Sequence, residues 1–293
     1  MTKRKLTGII ISSLILLGIC TAGYLLNDPD RPAPIPVKQE LREGVTYRRV
    51  VRFIPHPLVA HVIEIDTKTP GIALLVTPPD SDGATPLNAR TTSQFLDEFN
   101  VQIAINGDGF SPWWSRSPAD YYPHVGDPVA PFGLSASNGK VYSTGVQTTP
   151  GIKPTLYVNR RNVLSFNNAP NNIHSAISGD RMIVLKGDIA PDLDDGGVEP
   201  RTAIGMNRNG RYLYLIVVDG RQPFYSSGAT FTELAKVLID QGAYIAMSLD
   251  GGGSSTMVIE GEEGEPVILN SPIDNYIPGR ERPVANHLGI YIR

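Results

Sequence analysis

The sequence predicts an α+β fold: a mixed β-sheet core with a few helices, forming a single globular domain behind an N-terminal transmembrane or signal segment. Three observations lead there. Short apolar runs suited to strands recur along the chain, each ended by Pro, Gly or Asp. Helical periodicity with a recognisable start or stop is confined to two stretches. Each of these is followed by an apolar strand that runs into a glycine-rich turn. The 293 residues suffice for a sizeable core, and the formal net charge of −3 gives no reason to expect nucleic-acid binding. The single cysteine, Cys20, lies in the N-terminal apolar run, so the folded part has neither a disulfide framework nor a cysteine-based metal site.

Residues 1–26 open with Thr2-Lys3-Arg4-Lys5 and continue through the mostly apolar stretch Leu6 to Leu26. A basic start before an apolar run close to the ~20 residues that span a bilayer reads as a signal anchor or a signal peptide. Either one exports the rest of the chain. An anchor leaves the domain membrane-tethered in the periplasm or outside the cell, and cleavage near Cys20-Thr21-Ala22 releases it. Residues 27–43 read as a Pro-rich linker, because the prolines of Asn27 to Val37 remove donors and fix φ. Residues 44–293 are the expected folded domain.

Val45 to Phe53, Leu58 to Asp66 and Gly71 to Thr77 read as strands. Phe95, Leu96 and Phe99 have helical spacing, and Val101 to Ile105 then forms a buried strand ending in Asn106-Gly107-Asp108-Gly109-Phe110. Trp113-Trp114 and Tyr121-Tyr122-Pro123-His124 make an aromatic loop suited either to stacking on a sugar ring or to folding over the core, with His124 a candidate for substrate contact. Phe132 to Tyr142 reads as a hairpin around Asn138-Gly139. Asp192, Asp194 and Asp195 with Gly196-Gly197 miss the calcium-loop spacing and read as a solvated turn.

Arg201 to Gly205 leads into the strand Tyr212 to Val218, which ends in Asp219-Gly220-Arg221. Thr230-Phe231-Thr232-Glu233 is a capping box, Leu234 and Leu238 give the apolar face, and Gly242 closes the helix. The strand Ala243 to Leu249 then delivers Asp250 into Gly251-Gly252-Gly253-Ser254-Ser255-Thr256. Glycines here bring backbone N–H groups close to a ligand, and the hydroxyls add donors and acceptors, which makes a cradle for an oxyanion or a sugar. No lysine follows and no helix opens, so it is not a nucleotide P-loop. Met257 to Ile259, Val267 to Asn270 and Leu288 to Ile292 complete the strands.

Asn106 to Phe110, Pro131-Phe132-Gly133 with Asn138-Gly139-Lys140, Arg201 to Gly205, Val218 to Arg221, Leu249 to Thr256 and Arg282 to Asn286 occur in the order seen in phosphodiester glycosidases. The chain resembles that family from about Thr92 to Arg293. It departs where the family usually reads Asn-Gly-Gly-Phe-Phe, because Asp108 adds a carboxylate. The resemblance implies hydrolysis of a sugar-1-phosphate diester into free sugar and a phosphomonoester, on cell-envelope or extracellular glycans.

Carboxylates stabilise or trap an oxocarbenium-like state, which makes Asp250 and Asp219, with Asp108 as an additional acid, the expected catalytic residues. Arg201 and Arg282 are expected to clamp phosphate, helped by Gly251, Gly252, Ser254, Ser255 and Thr256. Asn106, Thr202, Asn286 and His124 complete the expected substrate contacts. This scheme requires no metal and no cofactor. Its partners are a glycosyl phosphodiester or polysaccharide and, through the N-terminal segment, a membrane. Two other readings stay open: a non-catalytic carbohydrate-binding or polymer-assembly protein, and metal-dependent cleavage at phosphorus. The same aspartates also suit plain turn stabilisation, and the arginines suit pairing with them.

Overall fold

Alternation along the long strands sends side chains to both faces, and here both faces are covered. A computed structural model of the chain describes residues 28–145 and 153–292. The N-terminal basic and apolar segment lies outside the described residues. No helix among the described residues is long and apolar enough to cross a membrane.

The strands that frame the site are Val37–Arg42 (β1), Val45–Arg52 (β2), Leu58–Asp66 (β3), Ile72–Val76 (β4), Ile103–Asn106 (β5), Arg181–Leu185 (β6), Asp188–Ile189 (β7), Arg201–Met206 (β8), Tyr212–Val218 (β9), Ile245–Ser248 (β10), Met257–Glu260 (β11), Pro266–Ile268 (β12) and His287–Ile292 (β13). One sheet runs β1-β2-β3-β9-β8-β10-β6-β7 and the second β12-β11-β5-β13-β4. A further five-stranded sheet, Leu134–Ser137, Lys140–Thr144, Thr155–Asn159, Leu164–Phe166 and Ile173–Ser178, shares their core. The strand ladders of the described residues are antiparallel, and a parallel pairing occurs as the isolated bridge Ile273↔Arg280.

Strand β9 shows how the layers are built. Leu213, Leu215 and Val217 face the central core with Leu74, Val76, Ile105 and Leu288 of the second sheet. Tyr214, Ile216 and Val218 face the other way, onto the helix Phe231–Asp240 (α2), which contributes Phe231, Leu234 and Leu238. On the far side, the helix Thr92–Phe99 (α1) lays Phe95 and Leu96 on Leu75, Ala104 and Val258. Both helices start with complete capping boxes, Thr91 with Gln94 and Thr230 with Glu233. Asn138 and Gly139 adopt φ of 52° and 83°, the left-handed pair that a two-residue hairpin turn demands. Asp195 departs from a purely solvated role: its carboxylate accepts from Thr232 N at 2.9 Å and its carbonyl from Phe231 N at 2.9 Å, holding the start of α2.

Strand pairing begins earlier than the sequence predicts. Val37–Arg42, assigned above to the linker, pairs with β2 in the register Val37↔Arg49 and Gln39↔Tyr47. As an edge strand with much of its surface in water it needs little apolar sequence, so periodicity does not reveal it. Asp28 is also buried, accepting from Ser271 Oγ at 2.6 Å, and Arg31 lies 4.7 Å over the Tyr225 ring.

The two framing sheets meet at the C-terminal ends of β5 and β10, and Asn106 ties them. Its buried amide accepts from Thr202 Oγ1 at 2.8 Å and from Thr256 N at 3.2 Å, and donates to the carbonyl of Asp250 at 2.8 Å. Asp250 N donates in turn to the Gly107 carbonyl at 3.0 Å. Replacing Asn106 by alanine leaves three buried groups unpaired, so a loss of about 3 kcal/mol is expected in chemical denaturation.

Candidate active site

Above that junction lies a cleft of about 720 Å³. Its floor is Asp108, just beyond β5, and Leu249 to Gly253, just beyond β10. Arg201 at the start of β8, Arg221 after β9, and Asn275, Tyr276 and Arg282 from the loop before β13 supply the walls. The sequence folds this way because its tightest turns are glycine. A Cβ on Gly107 would sit 2.3 Å from Asn286 Oδ1, and one on Gly253 would sit 2.5 Å from Arg282 Nη2. Arg221 and Tyr276, by contrast, hold left-handed φ of 57° and 61° with full side chains. Such a backbone costs of order 1 kcal/mol or more per residue, and here it aims large groups into a cleft.

The carboxyl of Asp108 is fully buried and closely surrounded. Its Oδ1 accepts from Lys153 Nζ at 2.9 Å and from Gly109 N at 2.8 Å, and its Oδ2 accepts from Gly133 N at 2.7 Å. Burial nevertheless pushes this carboxyl up to about 7, against the pull of Lys153 and the Gly133 N–H, and the nearby Asp250 charge adds to the rise. Asp250 accepts from its neighbour Gly251 N at 3.0 Å and from Ser254 Oγ at 2.6 Å, while Arg282 Nη1 donates to the same Ser254 hydroxyl at 3.2 Å. Burial raises its pKa too, opposed by Ser254 and by the Arg282 charge. Two carboxyl groups whose environments favour a proton therefore share one cleft.

The cations are held by their far sides. Arg201 donates from Nε to the Ala229 carbonyl at 3.0 Å and from Nη2 to the Gly197 carbonyl at 2.6 Å, with its guanidinium 3.9 Å over the Phe231 ring. Burial draws it below its ordinary pKa. Arg282 pairs through Nε with the buried Asp274 at 2.7 Å and lies 5.0 Å over Trp113. Arg221 pairs with Glu199 at 2.6 Å and lies 5.1 Å over Tyr276. Each guanidinium keeps a planar, preoriented donor edge of the kind that suits phosphate.

Among the sequence-predicted residues, Asp108, Asp250, Arg201, Arg282, Gly251 and Gly252 line the cleft. Asn106, Thr202 and Asn286 are buried beneath it and position it: Asn286 Oδ1 accepts from Asp108 N at 2.9 Å. Ser254 is buried as the bridge between Asp250 and Arg282. Ser255 and Thr256 are buried outside the cleft lining, and their hydroxyls have no hydrogen-bond partner among the described residues.

Asp219 is likewise outside the cleft. Its carboxylate is 0% exposed and accepts from His61 Nε2 at 2.9 Å, Tyr225 OH at 3.0 Å, Asn270 Nδ2 at 3.1 Å and Ser271 N at 2.8 Å. That makes it a structural acid holding loops together. His124 has a side chain 56% exposed, stacks on Tyr121 and pairs with Asp127, away from the cleft lining. Lys153, Glu199, Arg221 and Tyr276 join the site without having been singled out for it. Arg221 carries a signal in hindsight, since it follows Asp219-Gly220 in the same strand-end turn. Lys153 belongs to no motif.

The profile of the phosphodiester glycosidase family matches residues 78–291. The chain belongs to this family. A 91-residue stretch is 38% identical to an SPbeta prophage-derived uncharacterized protein of Bacillus subtilis, covering 31% of this chain. A 64-residue stretch is 41% identical to the N-acetylglucosamine-1-phosphodiester alpha-N-acetylglucosaminidase of Bos taurus, covering 22% of this chain. Each match spans 12% of the relative's own length. The fold is similar to the catalytic domain of the zebrafish N-acetylglucosamine-1-phosphodiester alpha-N-acetylglucosaminidase, auto-inhibited by its pro-peptide. The TM-score is 0.58 at 21% identity, over 91% of this chain and 87% of that one. A hypothetical protein from Synechocystis also gives a TM-score of 0.58, at 15% identity, over 89% of this chain and 64% of that one. These structures share the family fold, and the cleft described here sits within the matched residues.

The two aspartates that differ in setting should differ in effect. Asp219→Asn is expected to cost about 3 kcal/mol in urea titration, because it unbalances a buried four-donor shell. His124→Ala, at an exposed loop, is expected to stay within about 0.5 kcal/mol.

Proposed function

We infer that this phosphodiester glycosidase hydrolyses a glycosyl phosphodiester at the anomeric C–O bond, releasing free sugar and a phosphomonoester, and that it acts on glycans of the cell envelope or outside the cell. The observation that carries this reading is the placement of two carboxyl groups, Asp108 and Asp250, opposite three preoriented guanidinium groups, Arg201, Arg221 and Arg282. The location outside the cytoplasm rests on the basic start and apolar run of residues 1–26. The names of the bovine and zebrafish relatives make N-acetylglucosamine 1-phosphodiesters the first substrates to try.

In this reading the arginines hold the phosphate, and the C1–O bond breaks with its electron pair passing to the phosphate oxygen. A phosphomonoester leaves readily, so charge stabilisation at the leaving group matters more than strong acid assistance. Asp250 stabilises the positive charge developing at C1. Water supplies the new C1–O bond, and its proton passes to the carboxylate of Asp108 and from there to the departing phosphate or to solvent. A group that holds its proton up to about pH 7 is suited to accept one and return it near neutrality.

Hydrolysis in oxygen-18 water is expected to place the label in the sugar, and label in the phosphate would instead mark attack at phosphorus. Asp250→Asn is expected to lower kcat by about 10³-fold, in the range for losing a group that stabilises transition-state charge. Because Asp108 must be ionised to accept the proton, kcat/KM is expected to rise as pH increases through about 7. That limb should disappear in Asp108→Asn.

A further inference from the structure

The end of the large sheet that carries the cleft also carries exposed apolar side chains. Antiparallel registers place the entry to β1, the β2–β3 turn, the end of β9, the start of β8 and the end of β10 at one edge: Val37↔Arg49, Arg52↔Leu58, Ala60↔Val218, Val218↔Arg201 and Ala203↔Ser248. At that edge Phe224 is 99% exposed and Ile54 is 88% exposed, the two most exposed large hydrophobic residues among those described, with Phe53 and Ile35 beside them in the pairing order. The Ser227 N–H donates to the Pro57 carbonyl at 2.8 Å, which ties the turn bearing Phe53 and Ile54 to the loop bearing Phe224. Phe224 is presented deliberately: reciprocal bonds between Gln222 and Ser226 close its turn, and its φ of 68° is one a phenylalanine adopts only at a cost.

The chain enters the domain at this same edge. Asp28 accepts from Ser271 Oγ, and Arg31 reaches Gln222 Oε1 and the Tyr225 ring. The loops so contacted continue into Arg221 on one side and into Asn275 and Tyr276 on the other, all in the cleft wall. Asp28 follows the apolar stretch ending at Leu26 by two residues, a reach of at most ~7 Å. With strands ~4.8 Å apart, Ala60 of β3 is about 10 Å from Arg201 at the start of β8, and the β2–β3 turn lies just beyond it at the same end.

We propose that this edge docks on the surface of a lipid bilayer, with Ile35, Phe53, Ile54 and Phe224 in the interface, and that the cleft therefore serves glycosyl phosphodiesters whose phosphate is esterified to a membrane lipid. The proposal rests on the hydrolytic reading and on the N-terminal segment acting as an anchor. Large apolar side chains this exposed and gathered at one end of a sheet mark an interaction site, and a bilayer is the occupant that the entry of the chain at the same edge selects. A tether of two residues gives the domain little choice of the face it turns toward the bilayer.

The test uses the full chain reconstituted in phospholipid vesicles, with Cys20→Ser as background. An environment-sensitive fluorophore is attached at Ile54→Cys, at Phe224→Cys or, as a control at the opposite end of β3, at Lys68→Cys. A blue shift at 54 and 224, quenched by spin-labelled lipid and absent at 68, is expected. No lipid quenching at 54 and 224 overturns the proposal, as does a shift that depends on protein concentration and not on lipid, which would mark self-association.

Turnover separates the second half. The combined variant Phe53→Ser, Ile54→Ser and Phe224→Asn is compared with the unaltered chain on methyl and hexadecyl glycosyl phosphodiesters of one sugar. It should lose about tenfold on the hexadecyl diester, which shares the bilayer with the enzyme, and keep its rate on the soluble methyl diester. Equal rates on the hexadecyl diester overturn the substrate assignment. Failure of the unaltered chain on both diesters overturns the hydrolytic reading and the substrate class with it, while the quenching result still decides docking.

Discussion

The site depends on one constraint: two sheets must end at the same place. Asn106 and Asn286 enforce it with side-chain amides that behave as extra pieces of backbone. Asn106 satisfies groups from β8, from the glycine turn after β10 and from the approach to β11, and Asn286 receives the N–H of Asp108 while its own carbonyl receives that of Gly107. Buried amides cannot be left half-satisfied, so each sheet fixes the position of the other. Asp108 and Asp250 are brought to one cleft by hydrogen bonds that neither of them makes with its side chain.

The electrostatics follow from that geometry. Asp108 lies deep enough that desolvation outweighs an ion pair and two backbone donors, and so its proton is held near neutrality. Asp219 lies equally deep, but four donors surround it and none of its oxygens faces the cleft. Two aspartates at strand ends thus diverge in role through what surrounds them. The arginines show the same logic: Asp274, Glu199 and backbone carbonyls fix the guanidinium groups that line the cleft in place.

Much of this was legible in the chain because local signals and tertiary needs agree. Both capping boxes, the Asn138-Gly139 turn and the Asp250 glycine run are short-range features with fixed chemistry, and the structure uses them as read. The family motifs also located Asp250, Arg201 and Arg282. What remained hidden was tertiary. Asp219 looks like Asp250 in sequence, a carboxylate after an apolar strand, and only the arrival of His61, Tyr225, Asn270 and Ser271 distinguishes the two. Lys153 has no neighbours that announce it, and β1 is too polar for periodicity to find.

The position of β13 has a consequence for how the chain matures. This strand is last in sequence yet lies between β5 and β4 in its sheet, and Asn286 immediately precedes it. During synthesis from the N-terminus, β4 and β5 must wait for the partner strand between them until residues 287–292 have been made. Until then the Asp108 N–H lacks its Asn286 partner, and the floor of the cleft cannot assemble.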